Sequence, residues 1–289
     1  MRLGITGASG FIGSRAMQLA AARGWDVVPF SRRPRESSAR LFVPGRPADV
    51  DGLDAVLHLA GEPVFGRWTA DKRNRIMASR VLGTRSIAEG FARSKQPPRV
   101  LVSGSAVGFY GNTGDHEVTE QSPAGSGFLA DVCRAWEGEA EKISRSGARL
   151  VLLRTGFVLG RGGAMNIMLP VFRAGLGGRL GSGRQWMSCI HVDDVAGMAL
   201  WAAENGAVRG PLNAVMPHPL TNAEFTRDLS GAVHRPAIFH APSFLLRLVL
   251  GRMASLLLDS SRVLPGVALA GGYDYVFTDV GAALRDIVD

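Results

Sequence analysis

The chain has 289 residues, is 46% hydrophobic and carries a formal net charge of +8, nearly all of its positive charge coming from arginine. A chain of this length can bury a full hydrophobic core. Only two cysteines are present, Cys133 and Cys189, without a CxxC spacing, which excludes a disulfide framework and a zinc site. The basic residues form no run longer than a pair and have no aromatic stacking platform beside them. We therefore expect an anionic small molecule as partner, with no nucleic acid and no metal.

The first 30 residues predict a strand, a glycine turn, a helix and a second strand. Residues 2–5 form a short strand that is apolar after Arg2. Gly7, Gly10 and Gly13 stand three apart, and residues 14–23 have helical apolar spacing. A dinucleotide pyrophosphate needs bare backbone N–H groups at a helix N-terminus. Side chains at Gly7 or Gly10 would block that approach, and one at Gly13 would push the helix off the strand. The strand–turn–helix context makes this triplet a dinucleotide-binding loop.

The end of the second strand distinguishes the two nicotinamide cofactors. A site that prefers NAD has an acid about 20 residues past the glycines, on the ribose 2′-hydroxyl. Here Phe30 is followed by Ser31, Arg32 and Arg33, and no acid lies there. A hydroxyl and two guanidiniums suit a 2′-phosphate, so we predict NADP as the cofactor.

Further along, apolar strands are predicted at 54–61, 99–103 and 149–154, alternating with helices at 69–91 and 129–144. Thr69 can cap the first of these helices, and Asp193 or Asp194 the helix that runs to Glu204. Residues 221–224 form a capping box. This order predicts an α/β fold, a doubly wound parallel (Rossmann) sheet with a smaller, mostly helical C-terminal lobe. We predict an NADP-binding domain over 1–160, to which 188–210 contribute, and a substrate-side lobe over 161–289.

Several motifs are similar to those of one known group. They are Thr6-Gly7-Ala8-Ser9-Gly10-Phe11-Ile12-Gly13, Leu59-Ala60-Gly61-Glu62-Pro63, Ser105-Ala106-Val107-Gly108-Phe109-Tyr110-Gly111, Gly181-Ser182-Gly183-Arg184-Gln185-Trp186 and Ile190-His191-Val192-Asp193-Asp194. Together they resemble the extended short-chain dehydrogenase/reductase superfamily, which contains the nucleotide-sugar epimerases. More narrowly, the whole chain resembles the "epimerase family protein" branch, which ends in its own domain of unknown function.

The resemblance implies a set of cofactor contacts. It places Gly7, Gly10, Phe11, Ile12 and Gly13 at the pyrophosphate, Ser31 and Arg32 at the adenosine phosphate, and Leu59 and Ala60 along the ribose. Arg80 on the following helix would reach the cofactor. Their neighbours Thr6, Ser9, Arg33 and Gly61 are expected to be cofactor-binding as well. On the substrate side we expect a wall that includes Glu62, Gln185 and Trp186, since an amide and a flat indole suit a ring or a sugar.

One departure from the superfamily affects the chemistry. Its members use a Ser, and a Tyr and a Lys four residues apart on the next helix. Here Ser105 matches the serine, but Leu129 stands for the tyrosine and Cys133 for the lysine. Leucine has no proton to give, and a neutral thiol supplies no positive field. We expect Tyr110 to be the substitute acid.

Three functions remain open on the sequence alone. The chain is an NADP-dependent oxidoreductase or epimerase with Ser105 and Tyr110 as catalytic residues, a silent NADP(H)-binding, redox-sensing module that acts through a protein partner, or a scaffold that assembles through the apolar residues 244–250. We expect His191 to be a packed histidine at a helix start. A homodimer is the default expectation. A cytoplasmic location is expected because no charged-then-apolar leader opens the chain. No membrane association is expected because residues 244–258 are too short and too charged to span a bilayer.

Overall fold

The computed structural model describes residues 1–34 and 37–288. Its strands are, in chain order, β1 (Arg2–Thr6), β2 (Asp26–Ser31), β3 (Arg40–Leu41), β4 (Ala55–His58), β5 (Val100–Ala106), β6 (Glu117–Val118), β7 (Arg149–Thr155), β8 (Phe157–Leu159), β9 (Gly178–Leu180), β10 (Trp186–Met187), β11 (Cys189–His191), β12 (Gly210–Ala214), β13 (Leu220–Thr221), β14 (Phe239–Ala241) and β15 (Arg262–Val263). The α-helices are α1 (Phe11–Ala22), α2 (Ala70–Arg93), α3 (Phe128–Ala140), α4 (Met165–Arg173), α5 (Val192–Glu204), α6 (Asn222–Ala232), α7 (Ser243–Leu250), α8 (Ser255–Leu258), α9 (Gly266–Ala270) and α10 (Val280–Val288). Short 3₁₀ helices lie at Val107–Tyr110, Glu141–Ser146 and Gly251–Ala254.

A seven-stranded sheet forms the centre, in the order β12-β7-β5-β4-β1-β2-β3. All of its neighbouring strands are parallel. Alternate residues of each strand point to opposite faces: Leu3 and Ile5 pack with α1 and α5, whereas Val56 and Leu101 pack with α2. Two covered faces require nearly continuous apolar strands, which the sequence has. The predicted doubly wound α/β fold is confirmed.

The C-terminal region is mostly helical, as predicted. Helices α4, α6 and α10 pack around a separate apolar cluster in which Phe225 and Leu284 are fully buried. The buried carboxylate of Asp194 on α5 accepts hydrogen bonds from the backbone N–H groups of Val276 (2.8 Å) and Phe277 (3.0 Å), which fastens this region to the sheet. In the described part of the chain, no helix is long and apolar enough to cross a membrane. The proposed domain limits stay a prediction.

Helix starts follow the sequence at two places and depart from it at one. Thr69 caps α2 by accepting from the Lys72 N–H (3.1 Å), and Thr221 and Glu224 form the predicted capping box of α6. For α5, the prediction of Asp193 or Asp194 as cap is wrong. The N-cap is His191, whose Nδ1 accepts from the Asp193 N–H (3.3 Å). Asp193 is the second residue of the helix and pairs with Arg15 of α1 at 2.6 Å, joining the two helices on that face.

A buried histidine links two strands and a helix near the carboxyl edge of the sheet. The His58 ring contacts Thr6 Oγ1 of β1 through Nδ1 (2.7 Å) and Thr84 Oγ1 of α2 through Nε2 (3.1 Å). Thr6 Oγ1 also accepts from the Leu59 N–H (3.1 Å) and the Ala60 N–H (3.2 Å). Burial lowers the pKa of His58 from 6.5 to about 3, so the ring is neutral at physiological pH.

This histidine makes stability depend on pH. Because the pKa of His58 falls from 6.5 to about 3 on folding, the unfolded chain takes up a proton in that window that the folded chain does not. The free energy of unfolding should therefore fall as the pH drops through that window, by at most about 1.4 kcal/mol per pH unit from this group. In urea unfolding at a series of pH values, His58→Gln should show a shallower fall than the wild type. Equal slopes would contradict this assignment.

Candidate functional site

The loop between β1 and α1 allows a very close approach of helix to strand. A Cβ built on Gly13 would lie 2.2 Å from the Gly7 carbonyl oxygen. Gly7 has φ +70°, and a Cβ there would lie 2.9 Å from the Ala60 backbone N. Both positions therefore require glycine. The loop closes through a hydrogen bond from the Gly10 N–H to the Gly7 carbonyl (2.9 Å).

The N-terminus of α1 is open. Gly10 is its N-cap and supplies no side-chain acceptor, and the first turn holds no acid. Ser9 and Gly10 are exposed. The Phe11 ring turns away onto the loop at 160–163, where a Cβ on Gly162 would lie 2.6 Å from it, and Ile12 packs against the core. The backbone N–H groups at the start of α1 can thus receive an anion with the helix dipole behind them.

Thr6 supports this loop from below. Its side chain is fully buried, and its hydroxyl is occupied by His58 and by the amides of Leu59 and Ala60. Thr6 thus joins the carboxyl ends of β1 and β4. These hydrogen bonds set the path of residues 59–61 beside the glycine loop.

Two exposed arginines follow β2 at the same edge of the sheet. Ser31 ends the strand, and its hydroxyl accepts from the Arg33 N–H (3.1 Å). Arg32 and Arg33 are exposed. Within residues 1–34 and 37–288, no ion pair joins either of them to an acid. Since β2 runs beside β1, this places two guanidiniums and a hydroxyl next to the glycine loop.

Arg80 reaches the end of β4 from α2. Its Nη1 donates to the carbonyls of Glu62 (3.0 Å) and Ile76 (3.2 Å), and its Cζ lies 5.0 Å from the centre of the Trp136 ring. A Cβ on Gly61 would lie 3.4 Å from that Cζ. Burial lowers the pKa of Arg80, which nevertheless stays charged. Its cation therefore lies directly against Gly61.

The hydroxyl of Ser105 is held by a buried ion pair. Ser105 Oγ donates to Glu137 Oε1 on α3 (2.6 Å). Arg154 of β7 binds both oxygens of that carboxylate, at 2.9 Å and 2.8 Å, and its Cζ lies 3.5 Å from the centre of the Phe109 ring. Ser105, Glu137 and Arg154 are each no more than 5% exposed. Because the Ser105 hydroxyl donates its hydrogen bond to Glu137, the lone pairs of its oxygen remain available to accept one.

Tyr110 belongs to the same network. Its hydroxyl donates to Asn213 Oδ1 (2.7 Å) and accepts from Arg154 Nη1 (2.9 Å). Burial raises the pKa of Tyr110, more than the neighbouring Arg154 lowers it. Donation of its proton to a substrate would require the contact with Asn213 to break. Its role as an acid stays a prediction, and the structure gives it a second task, the orientation of Arg154.

The two positions that depart from the superfamily lie on α3, Cys133 beside Ser105 and Leu129 beside Gly108. Leu129 packs in an apolar cluster with Trp68 and Val132. Cys133 Sγ lies 3.7 Å from the Ala106 carbonyl, and burial raises the pKa of this thiol to about 11. The thiol is therefore neutral and its S–H is directed at that carbonyl. Neither position supplies a cation.

The three residues expected on the substrate side are all engaged in protein contacts. Glu62 pairs with Lys72 at 2.8 Å, which lowers the pKa of its carboxyl. Gln185 is buried and donates through Nε2 to the carbonyls of Leu180 (3.0 Å) and Leu257 (3.1 Å). The Trp186 indole donates to Asp115 Oδ1 (3.0 Å), and Arg262 lies over its ring at 4.3 Å. Gln185 and Trp186 thus connect loops; a substrate contact for any of the three stays a prediction.

Three members of the buried network escaped the sequence analysis, namely Glu137, Arg154 and Asn213. A signal was present for two of them. Arg154 ends an apolar strand, where an unpaired charge would be costly, and Glu137 lies two helical turns after Leu129 on the same face of α3. Nothing in the sequence pairs them, because they come from different elements.

Comparison with known proteins places the chain in a family. The model of the NAD dependent epimerase/dehydratase family matches residues 3–214, and a domain of unknown function, DUF1731, matches residues 241–287. The epimerase family protein SDR39U1 of Homo sapiens is 39% identical over 297 residues, covering 100% of both chains. The epimerase family protein YfhF of Bacillus subtilis is 33% identical, covering 100% of this chain and 98% of its own.

Two solved structures extend this likeness. A crystal structure of human SDR39U1 (isoform2) with NADPH has a TM-score of 0.92 at 38% identity and covers 100% of this chain and 99% of that one. The nucleoside-diphosphate sugar epimerase of Corynebacterium glutamicum has a TM-score of 0.81 at 32% identity, with 100% of this chain and 58% of that chain covered. The chain therefore belongs to the NAD dependent epimerase/dehydratase family, within the extended short-chain dehydrogenase/reductase superfamily.

Proposed function

We propose that this chain binds NADP(H) and uses it in an oxidoreductase or epimerase reaction on a small substrate. The observation that carries the proposal is the open N-terminus of α1, with its N–H groups uncovered behind Gly7, Gly10 and Gly13. A pyrophosphate is the doubly charged linker that such a cradle accepts. The human relative crystallised with NADPH supports the same cofactor.

Preference for NADP over NAD rests on Arg32 and Arg33. Both are exposed at the end of β2, where the adenosine ribose of a dinucleotide in the cradle would lie. A guanidinium binds phosphate through two parallel hydrogen bonds, whereas the 2′-hydroxyl of NAD offers no charge to it.

The reactive end of the site would use Ser105 as acceptor and Glu137 as proton store. A bound nicotinamide supplies or receives the hydride. A substrate hydroxyl that donates to Ser105 Oγ can pass its proton to that oxygen while Ser105 passes its own to Glu137 Oε1, 2.6 Å away. Arg154 keeps the carboxylate oriented, and Arg80 contributes positive charge at Gly61. This arrangement would take the place of the missing tyrosine and lysine.

The cofactor preference can be tested by calorimetric titration. We expect the wild type to bind NADPH more tightly than NADH. Arg32→Ala should weaken NADPH binding by about tenfold to a hundredfold, the value of one or two charge-assisted hydrogen bonds, and leave NADH nearly unchanged. Arg145→Ala is the matched control, because Arg145 is an exposed arginine that precedes β7, at the opposite edge of the sheet. Equal affinities for NADPH and NADH would refute the preference.

Catalysis can be tested by NADPH oxidation against a panel of carbonyl compounds and nucleotide sugars. We expect turnover that Ser105→Ala reduces by about a hundredfold or more while NADPH affinity is kept. Glu137→Gln keeps an oxygen that can accept from Ser105 but removes the charge, and should also lower turnover while NADPH affinity is kept. Thermal unfolding of each variant checks that it folds. Absence of turnover together with tight NADPH binding and a co-purifying protein would instead support the redox-sensing module.

A further inference from the structure

Helix α7 exposes an apolar face. Phe244, Leu245, Leu248 and Val249 are 71%, 44%, 78% and 63% exposed, and none of the eight residues of the helix is buried. Just before it, Ile238 and Phe239 are 80% and 50% exposed. We call these six residues the α7 surface. A protruding helix offers no concavity in which a small ligand could be enclosed.

The α7 surface is held in place by the fold. Leu250, at the end of the helix, packs in a cluster with Trp68 and Met253. The Gly66 N–H donates to Met253 Sδ (3.2 Å), and β14, which contains Phe239, pairs with β9. The exposure is therefore a property of the folded chain, at a position tied to the loop that follows the cofactor-side strand β4.

Positive charge surrounds this face. Residues 229–258 contain three arginines, Arg235, Arg247 and Arg252, and no Asp or Glu. Arg247 and Arg252 are exposed, and so is Arg179, which pairs with His240 in the β9–β14 register. Asp259 follows residues 229–258 directly: burial raises the pKa of its carboxyl, and the nearby Arg247 acts against that rise. The α7 surface is thus apolar with a cationic border.

The charge pattern favours a membrane over a second copy of the chain as the partner of the α7 surface. A symmetric pair formed through the α7 surface would bring two arginine-bordered faces together, with Asp259 offsetting part of the charge of Arg247. The remaining positive charge suits an anionic partner better than a second copy of the same face. Exposed Phe, Leu and Val beside arginine on a short protruding helix are typical of an interfacial membrane segment.

We propose that the α7 surface docks on an anionic lipid bilayer. Phe244, Leu245, Leu248 and Val249 enter the boundary between headgroups and acyl chains, and Arg247 and Arg252 contact headgroup phosphates. This replaces the expectation of no membrane association, since a segment too short and too charged to span a bilayer can still lie in its interface. The proposal is independent of the cofactor.

Vesicle co-sedimentation of the full chain tests this proposal. We expect binding to vesicles of phosphatidylcholine mixed with phosphatidylserine, weaker binding to phosphatidylcholine alone, and a loss of binding as salt increases. The double variant Phe244→Asp/Leu248→Asp should lose sedimentation. Arg247→Glu/Arg252→Glu should weaken it by about tenfold or more. Since all four side chains are exposed, the variants should keep the wild-type thermal unfolding and NADPH affinity.

Leu269→Asp is the matched control. Leu269 is 53% exposed on α9, outside the α7 surface, so the same change of chemistry there should leave sedimentation unchanged. Wild type that ignores both kinds of vesicle, or a double variant that sediments like wild type, would overturn the proposal. So would a wild-type dimer in size-exclusion chromatography that the double variant abolishes, since a second copy would then be the occupant.

Discussion

The close contact between the first turn of α1 and the turn that follows β1 is the constraint on which the candidate site depends. The Gly7 carbonyl and Gly13 meet at a distance that excludes any Cβ, so the helix starts almost on top of the strand. Its first N–H groups consequently open at the carboxyl edge of the sheet, the edge at which parallel α/β sheets bind their ligands. Thr6 and His58 hold residues 59–61 beside this opening. The cradle is thus a consequence of backbone packing more than of any polar side chain.

A buried ion pair is the second unusual feature of the site. Removing Glu137 and Arg154 from water has a large cost, and a pair of apolar residues would stabilise the fold as well or better. Its presence is accounted for if the orientation of the Ser105 hydroxyl matters. The pair fixes that hydroxyl as a donor towards α3, and Tyr110 and Asn213 fix the arginine in turn. In place of a tyrosine and a lysine on one helix, the chain has a hydrogen-bond network built from α3, β5 and β7.

Local signals in the sequence predicted most of the fold. The glycine spacing, the apolar strands and the caps at Thr69 and Thr221 each act over a few residues, and the structure confirms them. Contacts between elements that are distant in the chain could not be predicted from the sequence. The predicted cap of α5 is wrong because the helix already begins at Val192, and the Asp193 carboxylate pairs with Arg15, 178 residues away in the chain. The partners of Ser105 and Tyr110 were missed for the same reason. The exposed face of α7 could not be foreseen either, because helical spacing of apolar residues does not tell which side faces the protein.

A crystal structure of the chain with NADPH would show whether backbone N–H groups at the start of α1 hold the pyrophosphate. We expect pyrophosphate oxygens at about 2.7–3.2 Å from backbone N atoms of the turn at residues 10–13. A dinucleotide bound elsewhere, or pyrophosphate oxygens that contact only side chains, would contradict this expectation.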